Sequence, residues 1–251
     1  MRIDVYPTAA STAGADFASR AVAAIDVLRA TSTMVTALAH GAVDILPVAT
    51  PAEARTLSRD WPADSYILGG ERGALALPGF HLGNSPREYT PDQVSGRRVA
   101  MTTTNGTQAL LAAQGAASLT AASFLNGRAV ASDLLRQGRD VAVICAGTHG
   151  WFDLVDTVCA GLIVDSLAGP QVPTEINDLG VAARDLYLRY RGRLAELMHQ
   201  SRHGQRLLAL GFADDLVYCS QEDVLPLVPR WEDGRLVVSA ARAGESAYPS
   251  M

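Results

Sequence analysis

AVAAIDVLRATSTMVTALAHG, residues 21–41, decides how the rest of this chain is read. Its first part, AVAAIDVL (21–28), is a near-continuous apolar run interrupted only by Asp26, the pattern of a strand buried on both faces. Arg29 and the hydroxyl cluster Thr31-Ser32-Thr33 then open TSTMVTALAHG (31–41), which has helical spacing and ends on glycine. A buried strand that runs through a polar turn into a helix is the repeating unit of a parallel sheet covered by helices.

The same rhythm extends outward. Apolar runs recur at DILPVA (44–49), SYILGGE (65–71), RRVAMTT (97–103), ASLTAAS (117–123) and DVAVICAG (140–147). Helical patterns lie between or after them, at PAEARTLSRD (51–60), NGTQALLAAQG (105–115), NGRAVASDLLRQG (126–138) and LVDTVCAGLIVDSL (154–167). The predicted fold class is therefore α/β, a largely parallel sheet flanked by helices. Beyond about residue 170 the pattern changes: GPQVPTEIND (169–178) leads into two helical segments, GVAARDLYLRYRG (180–192) and RLAELMHQSRHGQRLLALG (193–211). Two strand-like pieces follow, DLVYCS (215–220) and RLVVSA (235–240). We expect residues 1–170 to form the α/β core carrying the site motifs. Residues 171–251 are expected to form a C-terminal helical lobe with short closing strands, either packed on that core or continuous with it.

Composition narrows the function. A chain of 251 residues that is 48% hydrophobic can bury one large core, and a net charge of -5 provides no basic field to attract nucleic acid or an anionic membrane surface. An anionic ligand must then be held by local arginines and backbone N–H groups. The sequence has no lysine, which excludes Schiff-base lysine chemistry and a Walker lysine. Cys145, Cys159 and Cys219 lack metal-type spacing and read as buried apolar residues. Neither a signal-peptide pattern nor an uninterrupted apolar run of about 18 residues is present, so the expected location is the cytoplasm.

Four strand-to-helix turns concentrate polar residues where α/β sheets bind ligands. In IDVLRATST (25–33), Asp26 reads either as a catalytic or metal-binding carboxylate, or as a turn residue with Arg29 as its ion-pair partner. Leu28 stands where a haloacid-dehalogenase-type site needs a second aspartate. In GGERGALALPGFHLGNSPREY (69–89), Glu71 and Arg72 follow two glycines, and Asn84, Ser85 and Arg87 form a polar loop suited to an anion. MTTTNGTQAL (101–110) offers hydroxyls and a helix N-terminus at Thr104, Asn105 and Gly106, an oxyanion cradle or an ordinary cap. CAGTHGWFDLVDTVCAG (145–161) carries Asp153 and Asp156, and Trp151 occupies the position where a cysteine phosphatase loop requires arginine.

Read together, IDVLRATST, GGERG, PGFHLGNSP, TTTNGT and CAGT followed by Asp156 and CAG resemble the 2-phosphosulfolactate phosphatase family in content and order over roughly residues 20–220. The resemblance implies a Mg²⁺-dependent hydrolase converting (2R)-phospho-3-sulfolactate to 3-sulfolactate and phosphate, a step toward coenzyme M in methanogens. It marks Asp26, Arg29, Glu71 and Asp156 as catalytic candidates, with Asp26, Glu71 and Asp156 as the metal set. Thr31, Ser32, Arg72, Asn84, Ser85, Thr104, Asn105, Gly106 and His203 are marked for substrate or phosphate. Asn177-Asp178, the segment Ser201 to Gly204, and Asp215 also match, and His203 is placed as a proton donor to the leaving alkoxide. The chain departs from the family pattern at Val155, where an acid is usual, and at Phe80-His81. Those departures keep two alternatives open: a phosphatase for another small phosphorylated hydroxy acid, and a non-catalytic binder of small anions. The expected partner is a small anionic phosphorylated substrate, with no nucleic acid and no membrane; a homo-oligomer is compatible with the sequence.

Overall fold

The computed structural model describes residues 1–168 and 174–238; the start of GPQVPTEIND and the last two residues of RLVVSA lie outside them. The strands are β1 Arg2–Tyr6, β2 Ala21–Ile25, β3 Asp44–Pro47, β4 Tyr66–Arg72, β5 Leu75–Ala76, β6 Arg98–Thr102, β7 Ser118–Ala122, β8 Val141–Cys145, β9 Glu175–Ile176, β10 Arg230–Glu232 and β11 Arg235–Val237. The helices are α1 Ala30–Ala39, α2 Pro51–Leu57, α3 Pro91–Val94, α4 Gly106–Ala112, α5 Gly127–Gln137, α6 Leu154–Leu167, α7 Asp178–Tyr190, α8 Leu194–Gln200, α9 Arg202–Ala209 and α10 Ala213–Cys219.

The described strands form one mixed sheet in the order β5-β4-β6-β3-β11-β10-β7-β2-β8-β1-β9. Two parallel blocks, β4-β6-β3 and β7-β2-β8-β1-β9, are joined through the antiparallel hairpin β10-β11. The C-terminal strands therefore sit inside the sheet, between β3 and β7, and not at its rim. Arg235 pairs with Asp44 of β3 at 3.5 Å, and Arg230 bonds Asp133 of α5, so each hairpin strand is tied to the block it joins.

Strand β2 is apolar throughout because both its faces are covered. Ala21, Ala23 and Ile25 enter the core formed with α5, α6, α7 and α8, whereas Val22 and Ala24 enter the core formed with α1 and α4. Strand β8 divides the same way, with Val141, Val143 and Cys145 on one side and Ala142 and Ile144 on the other. Asp26 lies one residue beyond β2, at the start of the turn.

Three sequence expectations are corrected. DLVYCS is helical, within α10: Leu216 and Cys219 are buried at i, i+3 spacing while Asp214 and Asp215 occupy the first turn. The segment 193–211 is two helices broken at Ser201, whose hydroxyl caps α9 through Gly204 N at 2.9 Å. A side chain at Gly204 would place its Cβ 1.9 Å from Met198 O, so this corner requires glycine. Residues 1–10, which are not among the expected strands, contain β1, which pairs with β8 and β9. No helix among the described residues is long and apolar enough to cross a membrane.

Candidate active site

The turns after β2, β4, β6 and β8 converge on one narrow pocket walled by Asp26, Arg29, Glu71, Asn84, Thr104 and Asn105, with His203 and Arg206 reaching in from α9. Asp26 is held by its backbone: Thr31 Oγ1 donates to Asp26 O at 2.8 Å and accepts from Asp26 N at 3.0 Å. Ser32 Oγ donates to Val27 O at 2.8 Å. Thr31 and Ser32 thus shape the turn and do not line the pocket. The Asp26 carboxylate has one weak bond, from Ala30 N to Oδ1 at 3.4 Å. Its Oδ2 lies against Gly106 at the start of α4, where a Cβ would come within 2.7 Å.

Glu71 bridges two loops. Its Oε1 accepts from Thr104 N and its Oε2 from Ala74 N, both at 2.7 Å. Asn84 Oδ1 and Thr104 Oγ1 are buried without a hydrogen-bond partner among the described residues, a costly state for polar atoms unless a ligand or solvent engages them. Asn105 lies at the head of α4, and its Oδ1 accepts from His149 N at 3.2 Å.

Arg29 is buried and committed: Nη1 donates to Asp215 Oδ2 at 2.7 Å, Nη2 donates to Ala74 O at 2.7 Å, and its guanidinium carbon lies 4.1 Å from the Phe212 ring centroid. The ion-pair partner of Arg29 is therefore Asp215, and among the described residues Asp26 has no cation in an ion pair. Ser85 Oγ donates to the other Asp215 oxygen at 2.6 Å, which makes Ser85 part of that support. Arg72 is also turned away from the pocket, donating to Glu71 O at 2.7 Å, Thr102 Oγ1 at 3.0 Å and Ala49 O at 3.3 Å. Arg87 pairs with Asp214 at the surface.

Asp156 stands behind the Asp26 turn, accepting from Val27 N at 2.9 Å and Gly147 N at 3.2 Å. Asp153 caps α6 through Val155 N at 2.8 Å, and its Oδ2 accepts from Thr148 Oγ1 at 2.7 Å. Thr148 Oγ1 also lies 3.3 Å from His203 Nδ1. With the Thr148 proton directed to Asp153, Nδ1 carries the ring proton and Nε2 is the acceptor of a neutral His203. Burial is the main cause that lowers the His203 pKa, opposed by Asp153 and reinforced by Arg29 and Arg206.

Negative charge is concentrated here. Burial, then the charges of Asp153 and Glu71, push the Asp26 carboxyl up to about 7. Burial, then Asp153 and Asp26, raise Asp156 well above the ordinary carboxylate range. Burial likewise raises the Cys145 thiol, so Cys145 is no thiolate nucleophile.

Among the described residues, no three His, Cys, Asp or Glu side chains are grouped so as to hold a metal ion by themselves; Asp26, Glu71 and Asp156 do not form such a cage. The oxygen donors nevertheless fit Mg²⁺ bound sparingly. That ion uses one or two carboxylates with substrate phosphate and retains several waters. Asp26 and Glu71 share one pocket wall with the unpartnered Asn84 Oδ1.

The two departures noted in the sequence are structural. Val155 is fully buried in the apolar core, and His81 Nδ1 accepts from Leu68 N of β4 at 2.8 Å. Asn177 clamps α7 to β1 through Gly180 N, Val5 N and Val5 O. Sequence reading missed Thr148, His149 and Arg206. The only signal for the first two was a polar Thr-His-Gly turn after a buried strand, and Arg206 resembles any exposed helical arginine.

The sequence profile of the 2-phosphosulpholactate phosphatase family matches residues 6–234. A protein of Symbiobacterium thermophilum named probable 2-phosphosulfolactate phosphatase is 50% identical over 223 residues, covering 89% of this chain and 96% of that protein. One of Thermosynechococcus vestitus with the same name is 41% identical over 245 residues, covering 96% and 100%. A profile match over nearly the whole chain, with relatives matched over nearly their full lengths, shows that the chain belongs to the 2-phosphosulfolactate phosphatase family.

Proposed function

We propose that this chain is a Mg²⁺-dependent phosphatase that hydrolyses (2R)-phospho-3-sulfolactate to 3-sulfolactate and phosphate. The observation that carries the reading is the convergence of Asp26, Glu71, Asn84 and the Thr104–Gly106 turn on one pocket, with His203 at its wall. Family membership supports it.

Asp26 and Glu71 would hold the ion. When bound, Mg²⁺ supplies positive charge to the phosphoryl oxygens and offsets the carboxylates that otherwise repel a dianion. The chain's own residues do the rest. Phosphoryl transfer has little covalent chemistry for a protein to perform, so positioning and charge stabilisation dominate. The amide of Asn84 and the hydroxyl of Thr104 are fixed polar groups for phosphoryl oxygens, and the N-terminal end of α4 adds a favourable dipole. Arg29, held by Asp215, keeps a buried positive charge near the site without needing to move. Neutral His203 presents Nε2 to take a proton from the attacking water, and the imidazolium so formed returns it to the departing alkoxide of sulfolactate. The Thr148–Asp153 pair orients the ring and stabilises that charge.

Phosphate release from (2R)-phospho-3-sulfolactate by the purified chain tests the reading. Mg²⁺-dependent turnover that EDTA abolishes is expected. Saturable binding of the ester without phosphate release, at any Mg²⁺ concentration, would reduce the chain to an anion-binding protein.

A further inference from the structure

A second cavity, of about 440 Å³, adjoins the inner pocket, whose own volume is about 20 Å³. The inner space accommodates roughly one water molecule. The outer one falls within the range of roughly 300–1,000 Å³ typical of small-molecule sites. The two are neighbours, with His149, His203 and Arg206 lining both.

The far wall of the outer cavity is aromatic. Trp151 and Phe152 line it while remaining 75% and 50% exposed. They stand on a braced turn: Thr148 N donates to Trp151 O at 2.9 Å, Trp151 N donates to Thr148 O at 3.0 Å, and His149 N is anchored on Asn105. Two adjacent exposed aromatics on a rigid backbone form a preorganised apolar platform. The near wall is cationic. Arg206 donates to His149 Nε2 at 3.0 Å and to Gly73 O at 3.4 Å, and among the described residues neither it nor Arg202 has a carboxylate partner in an ion pair.

We infer that the outer cavity is a substrate subsite for phosphate monoesters of 2-hydroxy acids whose third carbon carries an aromatic ring. This rests on the phosphatase reading above. One phosphoryl oxygen enters the inner pocket with the phosphorus at its mouth, the carboxylate meets Arg206, and the ring lies on Trp151 and Phe152. Water oxygen bonds to phosphorus, the bond from phosphorus to the C2 oxygen breaks, and the alkoxide takes a proton to leave an aryllactate and phosphate.

The test compares 2-phospho-3-phenyllactate with 2-phospholactate as substrates for the wild type, Trp151→Ala, Phe152→Ala and Trp151→Phe. A single aromatic contact is worth a factor of about 2–10. Each alanine variant should raise KM for the phenyl ester by about that factor and leave 2-phospholactate unchanged, and Trp151→Phe should recover most of the loss. Equal changes for both esters, or none for the phenyl ester, would overturn the subsite. Calorimetric binding of 2-phospho-3-phenyllactate separates this from failure of the phosphatase reading. If no ester is hydrolysed, a Kd weakened about 2–10-fold in Trp151→Ala still supports the subsite, and an unchanged Kd rejects it.

Discussion

Gly106→Ala probes how closely the two halves of the site are packed. A Cβ at this position would lie 2.4 Å from Ala30 Cβ, 2.7 Å from Asp26 Oδ2 and 3.0 Å from Asp26 Cβ, where ordinary contact begins at 3.4 Å. Neither neighbour yields easily: Ala30 is fully buried at the head of α1, and Asp26 is fixed by the bonds of its turn to Thr31. The heads of α1 and α4 must therefore separate by about 1 Å to reach ordinary contact. Overpacking costs about 1–3 kcal/mol, and exchanging glycine for alanine at a helical position offsets at most about 1 kcal/mol. A net loss on the order of 1–2 kcal/mol in a chain of 251 residues lowers Tm by about 2–8 °C. A 1 Å error in catalytic geometry costs about 10²-fold, so kcat should fall far more than stability does. The assay is phosphate release at saturating Mg²⁺, with Tm from calorimetry. Gly115→Ala is the control, because a Cβ there meets nothing within 4 Å. Retention of full kcat by Gly106→Ala, with Tm unchanged, would refute the close approach of Asp26 and α4 on which the site is built.

Asp26→Asn should abolish Mg²⁺-dependent turnover and alter the pH dependence of stability. The folded carboxyl holds its proton up to about 7, against an ordinary value of 3.8, so between those values the folded state binds more protons and stability falls as pH rises. In EDTA, the wild type should lose Tm from pH 4 to 7, and Asp26→Asn should show a shallower slope, the difference amounting to a few kcal/mol at most. Parallel curves would show that Asp26 does not carry the raised pKa; the similarly shifted Asp156 accounts for any slope that remains. Asp215→Ala strands the buried Arg29 charge and should cost about 3–5 kcal/mol, with much of the activity lost; a Tm within 1 °C or so of wild type would contradict the pairing. Arg72→Lys, which weakens bonds to Glu71 O, Ala49 O and Thr102, should lower Tm without distinguishing sulfonated from unsulfonated esters in KM. A KM rise confined to the sulfonated ester would place Arg72 on the substrate instead.

Burial periodicity is a local property, and what depended on it could be read in advance. The boundaries of α6 at Leu154 and Leu167, the strand before Asp26 and the alternation of strand and helix through residue 167 all follow from which side chains must leave water. Asp26, Glu71, Thr104 and Asn105 were legible as candidates for the same reason: polar residues at or just past the ends of buried strands have few places to go in a parallel sheet, whereas Asn84 stood out only as part of a polar loop after Gly83. Sequence did not assign partners. Arg29 lies three residues from Asp26 yet pairs with Asp215, 186 positions away, and the Asp26 pKa is raised by burial and by the charges of Asp153 and Glu71, which Arg29 only partly opposes. His203 meets Thr148 across 55 positions, and His149 meets Arg206 across 57. Strand β10, too short for a periodic signal, and β11, which RLVVSA announces as a strand without giving its place, hold the middle of the sheet because β3 and β7 leave their hydrogen-bonding edges open to them. Hydrophobic pattern specifies which residues are buried, whereas charge pairing and edge pairing depend on distances that exist only once distant segments have been packed together.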